Sequence, residues 1–273
     1  MTGRAFVIGH PIAHSRSPLI HGTWLKAYGI DGSYEAFDVA PQTLAGFFQR
    51  IRAGEFLGGN VTIPHKQAVF DLCDEVDDLA QKIGAVNTVV REGKKLLGSN
   101  TDYMGFLGNL DQNAPGWSDK QPMALVLGAG GAARAILVAL QSRNIPVILV
   151  NRTRDTADRL ASELGGEIVV ASFADFASAA PLAGLVVNTT SVGMHGTRLE
   201  GLDLGLLHED ALVTDLVYTP LETPLLAEAR ALGLKTVDGL GMLLHQAVPG
   251  FAAWFGVTPE VTPDLRATIE ATL

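Results

Sequence analysis

One cysteine, Cys73, stands in 273 residues. A single thiol closes no intrachain disulfide and founds no cysteine-rich metal site, a usage that suits a reducing compartment. It reads as a small buried apolar group. Basic residues are also scarce, with 20 Lys and Arg against 29 Asp and Glu and a formal charge of −9. Phosphate backbones and anionic membranes both demand a basic face, so neither nucleic acid nor a membrane surface is an expected partner. Long apolar runs are missing too. The opening MTGRAFVIGHP breaks at Gly9 and Pro11 before a signal-peptide core forms, and no later run approaches the roughly 18 residues of a membrane helix. The expected location is cytoplasmic.

What the chain does have is 47% hydrophobic residues and 30 glycines, the make-up of a soluble α/β enzyme. Its length suits two domains of ordinary size, each able to bury a core. Short apolar runs alternate with helical patterns: AFVIG, SPLIHGTWLKAYG, YEAFDV, TLAGFFQRIRAG, LGGNVTIP. That rhythm belongs to mostly parallel sheets. In the first helical stretch Leu19, Ile20, Thr23, Trp24, Ala27 and Tyr28 keep a 3.6-residue period, with Ser17 expected as N-cap and Pro18 at the first helical position.

Residues 111–122, DQNAPGWSDKQP, collect prolines, a glycine and polar residues and read as a loop near a domain boundary. A second unit follows. MALVLGAGGAARAILVALQSRNIPVILVNRT has the length and order of a βαβ unit; LVVNTT, ALVTDLVY and KTVDG suggest later strands, and GMLLHQAVPGFAAWFG a C-terminal helix followed by a shorter one. No internal repeat or low-complexity tract is evident.

Gly128, Gly130 and Ala133 spell G-x-G-x-x-A directly after the strand ALVL. The first glycine permits a tight turn, the second lets backbone approach a pyrophosphate, and the small third residue lets helix and strand pack closely. Alone the string is weak; its βαβ setting makes it a dinucleotide site. An NAD enzyme places an acid for the ribose 2′-hydroxyl about 20 residues further on. Here stand Asn151, Arg152 and Thr153, with Arg154 and Arg159 nearby. Guanidinium forks suit a 2′-phosphate and favour NADP(H), unless these arginines merely line a solvated helix start.

The N-terminal half has no glycine fingerprint, but it sets polar groups where strands should end. Ser15 and Ser17 stand at the opening of a helix, where hydroxyls and free N–H groups can hold a carboxylate, although Ser17 alone is an ordinary cap. Asn60, Thr62, Lys66, Asn87, Asn100 and Asp102 follow in NVTIPHK, AVNTVV and LLGSNTDYMGF. Ligands of open α/β sheets lie beyond the carboxyl ends of strands. His10, His14, His21, His65 and His245 follow no metal spacing and are assigned no catalytic role.

IAHSRSP, NVTIPHK, GAVNT, NTDYMGF, GAGGAARA, NRT, NTTSVGM and DGLGMLLHQA appear in the order and spacing of the shikimate dehydrogenase family, which the chain resembles over residues 4–256. The Lys and Asp strings taken together are specific to that family; the glycine turn is shared by many dehydrogenases. The resemblance implies that Lys66 and Asp102 form the catalytic pair; without it, a salt bridge closing two loops reads equally well. It implies that Ser15, Ser17 and Tyr218 hold the substrate carboxylate, and that Asn60, Thr62, Asn87 and Gln246 face ring hydroxyls. Cofactor contacts are implied at Gly128, Ala129, Gly130, Gly131, Ala132, Asn151, Arg152, Thr153, Arg154, Thr190 and Leu216, and at Gly239 and Met242 beside the nicotinamide. No metal is implied. One departure stands out: the family commonly runs N-R-T-x-x-K/R, and Thr156 occupies the second basic position.

The expected architecture is therefore α/β, with a substrate domain over residues 1–103 rejoined by helices at 241–273, and a Rossmann-like NADP-binding domain over 104–240. The active site is expected in the cleft between them. The implied reaction is reversible reduction of 3-dehydroshikimate to shikimate by NADPH, in a monomer or homodimer. Two alternatives stay open: a quinate/shikimate dehydrogenase of catabolism, and a non-catalytic NADP sensor. An acid near Arg152 would mark an NAD-linked quinate enzyme, and a sensor has no need of a proton-transfer pair.

Overall fold

The computed structural model describes residues 3–119 and 122–273. The chain divides into two compact units, one formed by residues up to Thr101 with Leu244–Thr272, the other by Asp102–Leu243.

In the first unit, strand β1 (Gly3–Gly9) is followed by α1 (Ser17–Ala27), β2 (Gly32–Asp38), α2 (Leu44–Arg52) and β3 (Gly58–Val61). β4 (Glu75–Val76), α3 (Asp78–Ile83), β5 (Thr88–Glu92) and β6 (Lys95–Ser99) complete its N-terminal part. The sheet runs β2-β1-β3-β5-β6-β4. β1 pairs parallel with β2 and β3, as a strand-helix-strand rhythm predicts, but β5 lies antiparallel to both β3 and β6. For the β5–β6 pair the reason is local. Gly93 at φ +62 turns β5 straight back into β6, leaving no room for a crossover helix. The core beneath is aromatic, with Phe6 edge-on to Phe47 and Phe56 at 5.0 and 5.2 Å.

In the second unit, α4 (Asp102–Asn113), β7 (Met123–Leu127), α5 (Gly131–Ser142), β8 (Val147–Val150), α6 (Arg154–Leu164) and β9 (Ile168–Ala171) are followed by α7 (Phe176–Ala179) and β10 (Ala183–Asn188). β11 (Val192–His195), β12 (Leu212–Asp215), α8 (Pro224–Ala231) and β13 (Lys235–Val237) then precede α9 (Leu240–Phe255) and α10 (Pro263–Glu270), the last of which belongs to the first unit. The sheet runs β13-β12-β10-β7-β8-β9 with parallel pairings. Numbered from β7 and leaving out β11, this is the doubly wound order 3-2-1-4-5-6, whose direction reverses between β7 and β10. The expected loop at 111–122 is shorter than predicted, because α4 continues to Asn113. Residues 114–119 turn, and 120 and 121 lie outside the described residues.

The C-terminal helices join the first unit through indole donors. Trp254 Nε1 donates to Val89 O at 2.9 Å, and Trp24 Nε1 to Glu260 O at 3.1 Å. Gly58 sits at φ +151, and a Cβ there would stand 2.5 Å from the Trp254 indole nitrogen, so this contact requires glycine.

Candidate active site

The antiparallel hairpin decides which residues meet in the first unit. Because β3 pairs with β5 through Asn60↔Thr88, and β5 with β6 through Thr88↔Ser99, the end of β3, the start of β5 and the end of β6 share one edge of the sheet. The loop after β1, carrying Ser15, leaves from the same edge, since Ile8 pairs with Val61. Asn87 thus reaches this edge from the start of a strand, where a carboxyl end was expected.

Ser17 is buried at the first turn of α1 but is not its cap; the cap position falls to Arg16. Ser15 Oγ instead accepts the Ser17 backbone N–H at 3.3 Å. Asn60 and Asn87 are buried in one hydrogen-bonded network. Asn60 Nδ2 donates to Asn87 O at 3.3 Å and Thr88 Oγ1 at 3.1 Å, while Asn60 Oδ1 accepts from Tyr34 Oη at 2.6 Å. Asn87 Oδ1 accepts from Thr101 N at 2.8 Å and Thr88 Oγ1 at 2.9 Å. Asn100 Nδ2 donates to Ala85 O at 3.0 Å.

Thr62 follows β3 and donates its N–H to Ile8 O at 2.9 Å. Lys66 ends the following turn, half-buried, with its carbonyl accepting from Val86 N at 2.8 Å. His65 within the turn is buried, its Nε2 2.6 Å from Val39 O. It braces the loop that carries the lysine. Gln246 lies buried on α9.

In the second unit the reversal between β7 and β10 carries the glycine turn. Gly128 holds φ +101, and a Cβ there would come within 2.6 Å of Thr190 Cγ2 and 3.0 Å of Thr189 Oγ1, so glycine is required twice over. At Gly130 and Gly131, by contrast, nothing among the described residues comes within 4 Å of where a Cβ would stand. Their backbone is open where α5 begins, which fits a pyrophosphate set against a helix N-terminus. Ala132 is exposed and Ala133 buried against the sheet. Asn151 ties the turn to the end of β8. Its Oδ1 accepts from Ala129 N at 3.2 Å and its Nδ2 donates to Thr153 O at 2.8 Å. Arg152, Thr153 and Arg154 are exposed just beyond, and Arg154 Nε lies 3.5 Å from Asp158 Oδ2.

Sequence reasoning assigned nothing to Asn188, Asp215 or Thr223, which organise the neighbouring loops. Asn188 Oδ1 accepts from Thr190 N and Oγ1 at 3.0 and 2.7 Å, and its Nδ2 donates to Asp215 Oδ1 at 2.9 Å. Asp215 also accepts from Val217 N at 2.9 Å and Thr223 Oγ1 at 2.7 Å. Burial pushes its carboxyl above the usual range, and these donors pull it back. Thr190 and the loop bearing Leu216 and Tyr218 are thereby held by one buried carboxylate. Gly239 must be glycine, because a Cβ would stand 2.5 Å from Leu216 O. Met242, on the first turn of α9, is half-buried. Asp102 opens α4, directly after the clamped Thr101.

Three family models match: the shikimate dehydrogenase substrate binding domain over residues 7–89, shikimate / quinate 5-dehydrogenase over 111–198, and the shikimate 5'-dehydrogenase C-terminal domain over 239–267. The chain is 56% identical over 273 residues to the shikimate dehydrogenase (NADP(+)) of Mesorhizobium japonicum, covering 100% of this chain and 97% of that one. The chain belongs to the shikimate dehydrogenase family. Among solved structures, a shikimate 5-dehydrogenase from Thermus thermophilus in complex with NADP(H) and shikimate shares 38% identity over 99% of each chain at a TM-score of 0.87. The quinate dehydrogenase of Corynebacterium glutamicum in complex with NAD shares 31% over 100% of this chain and 99% of that one, at 0.91. Backbone similarity therefore extends both to a neighbour solved with NADP(H) and to one solved with NAD.

Proposed function

We propose that the protein reversibly reduces 3-dehydroshikimate to shikimate with NADPH. The observation that carries this reading is the edge of the first sheet, where Ser15, Ser17, Asn60, Thr62 and Asn87 gather neutral hydrogen-bonding groups around a turn that ends in Lys66. A polyhydroxylated acid needs such partners, since each buried hydroxyl left unpaired costs about 1–3 kcal/mol. The relatives named for shikimate and NADP(+) support the substrate and cofactor.

The dinucleotide, when bound, supplies or accepts the hydride. Gly128–Ala132 and the backbone opening α5 fit its pyrophosphate, Arg152 its 2′-phosphate, and Asn151, Thr153, Arg154, Thr190, Leu216, Gly239 and Met242 the remaining contacts. Ser15, Ser17 and Tyr218 hold the carboxylate; Asn60, Thr62, Asn87 and Gln246 take the hydroxyls. Reduction of a ketone leaves negative charge on its oxygen. Lys66 stabilises that charge and gives up a proton to it, while Asp102 orients the ammonium and the hydroxyl.

Initial rates for shikimate and quinate, each with NADP and NAD, test the reading. Shikimate with NADP should give by far the highest kcat/KM. Comparable turnover of quinate with NAD would move the chain to the catabolic branch of its family, and no turnover with any pair would leave a binding protein.

A further inference from the structure

Tyr34 lies on β2, well separated in sequence from every proposed substrate contact, and it is buried in the first unit. Its hydroxyl donates to Asn60 Oδ1 at 2.6 Å, the shortest bond the Asn60 amide makes. The amide cannot be turned over, because its nitrogen faces the Asn87 carbonyl, which only accepts. With both Nδ2 protons given to Asn87 O and Thr88 Oγ1, and one Oδ1 lone pair given to Tyr34, little freedom remains. The Tyr34 ring is itself held flat. His21 stacks on it at 3.9 Å and 14°, and Trp254 tilts against it at 5.8 Å.

We propose that Tyr34 is a positioning residue for the substrate: its hydroxyl pins the Asn60 amide so that Oδ1 is presented to a ring hydroxyl in a single orientation. The proposal rests on the shikimate reading above. An amide held in advance spends no rotamer freedom when the ligand arrives, and a remote hydroxyl is bound about equally in ground and transition states. Loss of the phenolic group should therefore show in KM and hardly at all in kcat.

The test is a double-mutant cycle on the full-length protein, using Tyr34→Phe, which keeps the stacked ring, and Asn60→Ala. Tyr34→Phe is expected to raise KM for shikimate about five- to tenfold with kcat within about twofold. In the Asn60→Ala background the same change should cost less than about twofold, because the group it acts through is gone. Thr88→Val loosens the same amide from its nitrogen side but also takes a donor from Asn87 Oδ1, so where Tyr34→Phe fails to fold, only the part of the Thr88→Val KM loss that vanishes in the Asn60→Ala background counts for a pinned Asn60 amide. NADP affinity and the melting temperature of each variant report whether the fold is intact. Equal KM losses in both backgrounds, or an unchanged KM in Tyr34→Phe, overturn the role of Tyr34 while wild-type turnover of shikimate stands. Absence of that wild-type turnover overturns the parent reading and this one with it.

Discussion

A lysine that closes a turn is ordinary; Lys66 is set apart by the company its loop keeps, between a strand end that carries Asn60 and a buried histidine that braces the turn. If it donates the proton, Lys66→Ala should lower kcat by about 10²–10⁴-fold with little change in KM for shikimate. Asp102→Asn should also lower kcat, and the double variant should lose far less than the product of the two, which single-turnover rates would show. An unchanged kcat in Lys66→Ala ends the assignment. His21 gives a prediction of a different kind. Its ring is wholly buried, neither nitrogen has a hydrogen-bond partner among the described residues, and burial drives its pKa from 6.5 to about 3, with the nearby Asn60 side chain pulling weakly the other way. Between those values the unfolded chain binds a proton that the folded one refuses. Stability from this group is thus complete above the unfolded value and falls as pH drops through the window, by about 1.4 kcal/mol per pH unit. Asp215 acts in the opposite sense, since its raised pKa eases the cost of folding as pH falls. Urea melts from pH 7.5 to 4.5 should show a steep acid limb that His21→Phe flattens; an identical limb in the variant assigns the acid sensitivity elsewhere.

At the scale of elements, the strand–turn–helix from β7 to α5 separates folding from binding within a few residues. Gly128→Ala forces a Cβ into Thr190 at a left-handed backbone angle, so it should lower the melting temperature and cofactor affinity together. Gly130→Ala meets nothing among the described residues. It should leave the melting temperature nearly unchanged and still raise KM for NADP, because the added methyl occupies space meant for pyrophosphate. If both variants lose stability alike, the turn is simply a tight turn. This element was legible in the sequence because its signals are local: a short apolar strand, glycines at fixed offsets and a helical period, all within one βαβ length. The hairpin of β5 and β6 was not. NTVV and KLLGS are short and differ little from parallel strands, and the deciding residue is one glycine between them. The motifs around Asn60, Asn87 and Lys66 could be found as strings, yet Tyr34 reaches Asn60 across 26 residues and Asp215 reaches Asn188 across 27. Pairings that distant leave no periodicity to read. Ser17 was misplaced by one residue for the related reason that a cap depends on backbone angles as well as residue type.

The whole molecule is acidic, at −9. Its long-range field therefore repels a cofactor carrying an extra phosphate, and preference for NADP has to be made locally, within a few ångströms of the ribose. Three positions are available after β8. Arg152 directly follows the residue that ties the glycine turn to the strand end, so its root is fixed by the Asn151 bonds to Ala129 and Thr153. A guanidinium anchored there can offer two parallel hydrogen bonds to a phosphate, which lysine cannot imitate. Arg154 is the first residue of α6 and already faces Asp158, one turn along the same helix. It must give up that exposed pair to reach a ligand, a small cost, whereas Arg152 makes no ion pair among the described residues. Thr156 carries no charge. Arg152→Ala should therefore erase most of the NADP-over-NAD preference in kcat/KM, Arg154→Ala should erode it less, and Thr156→Arg should tighten NADP binding modestly. Because a ligand bound only by the folded state raises stability by about 2.7 kcal/mol at a hundredfold excess over Kd, melting temperatures with NADP and with NAD read the same ranking without turnover. Should Arg154→Ala prove the more damaging substitution in both measurements, the 2′-phosphate is read from the start of α6, and the Asp158 pair is the contact it displaces.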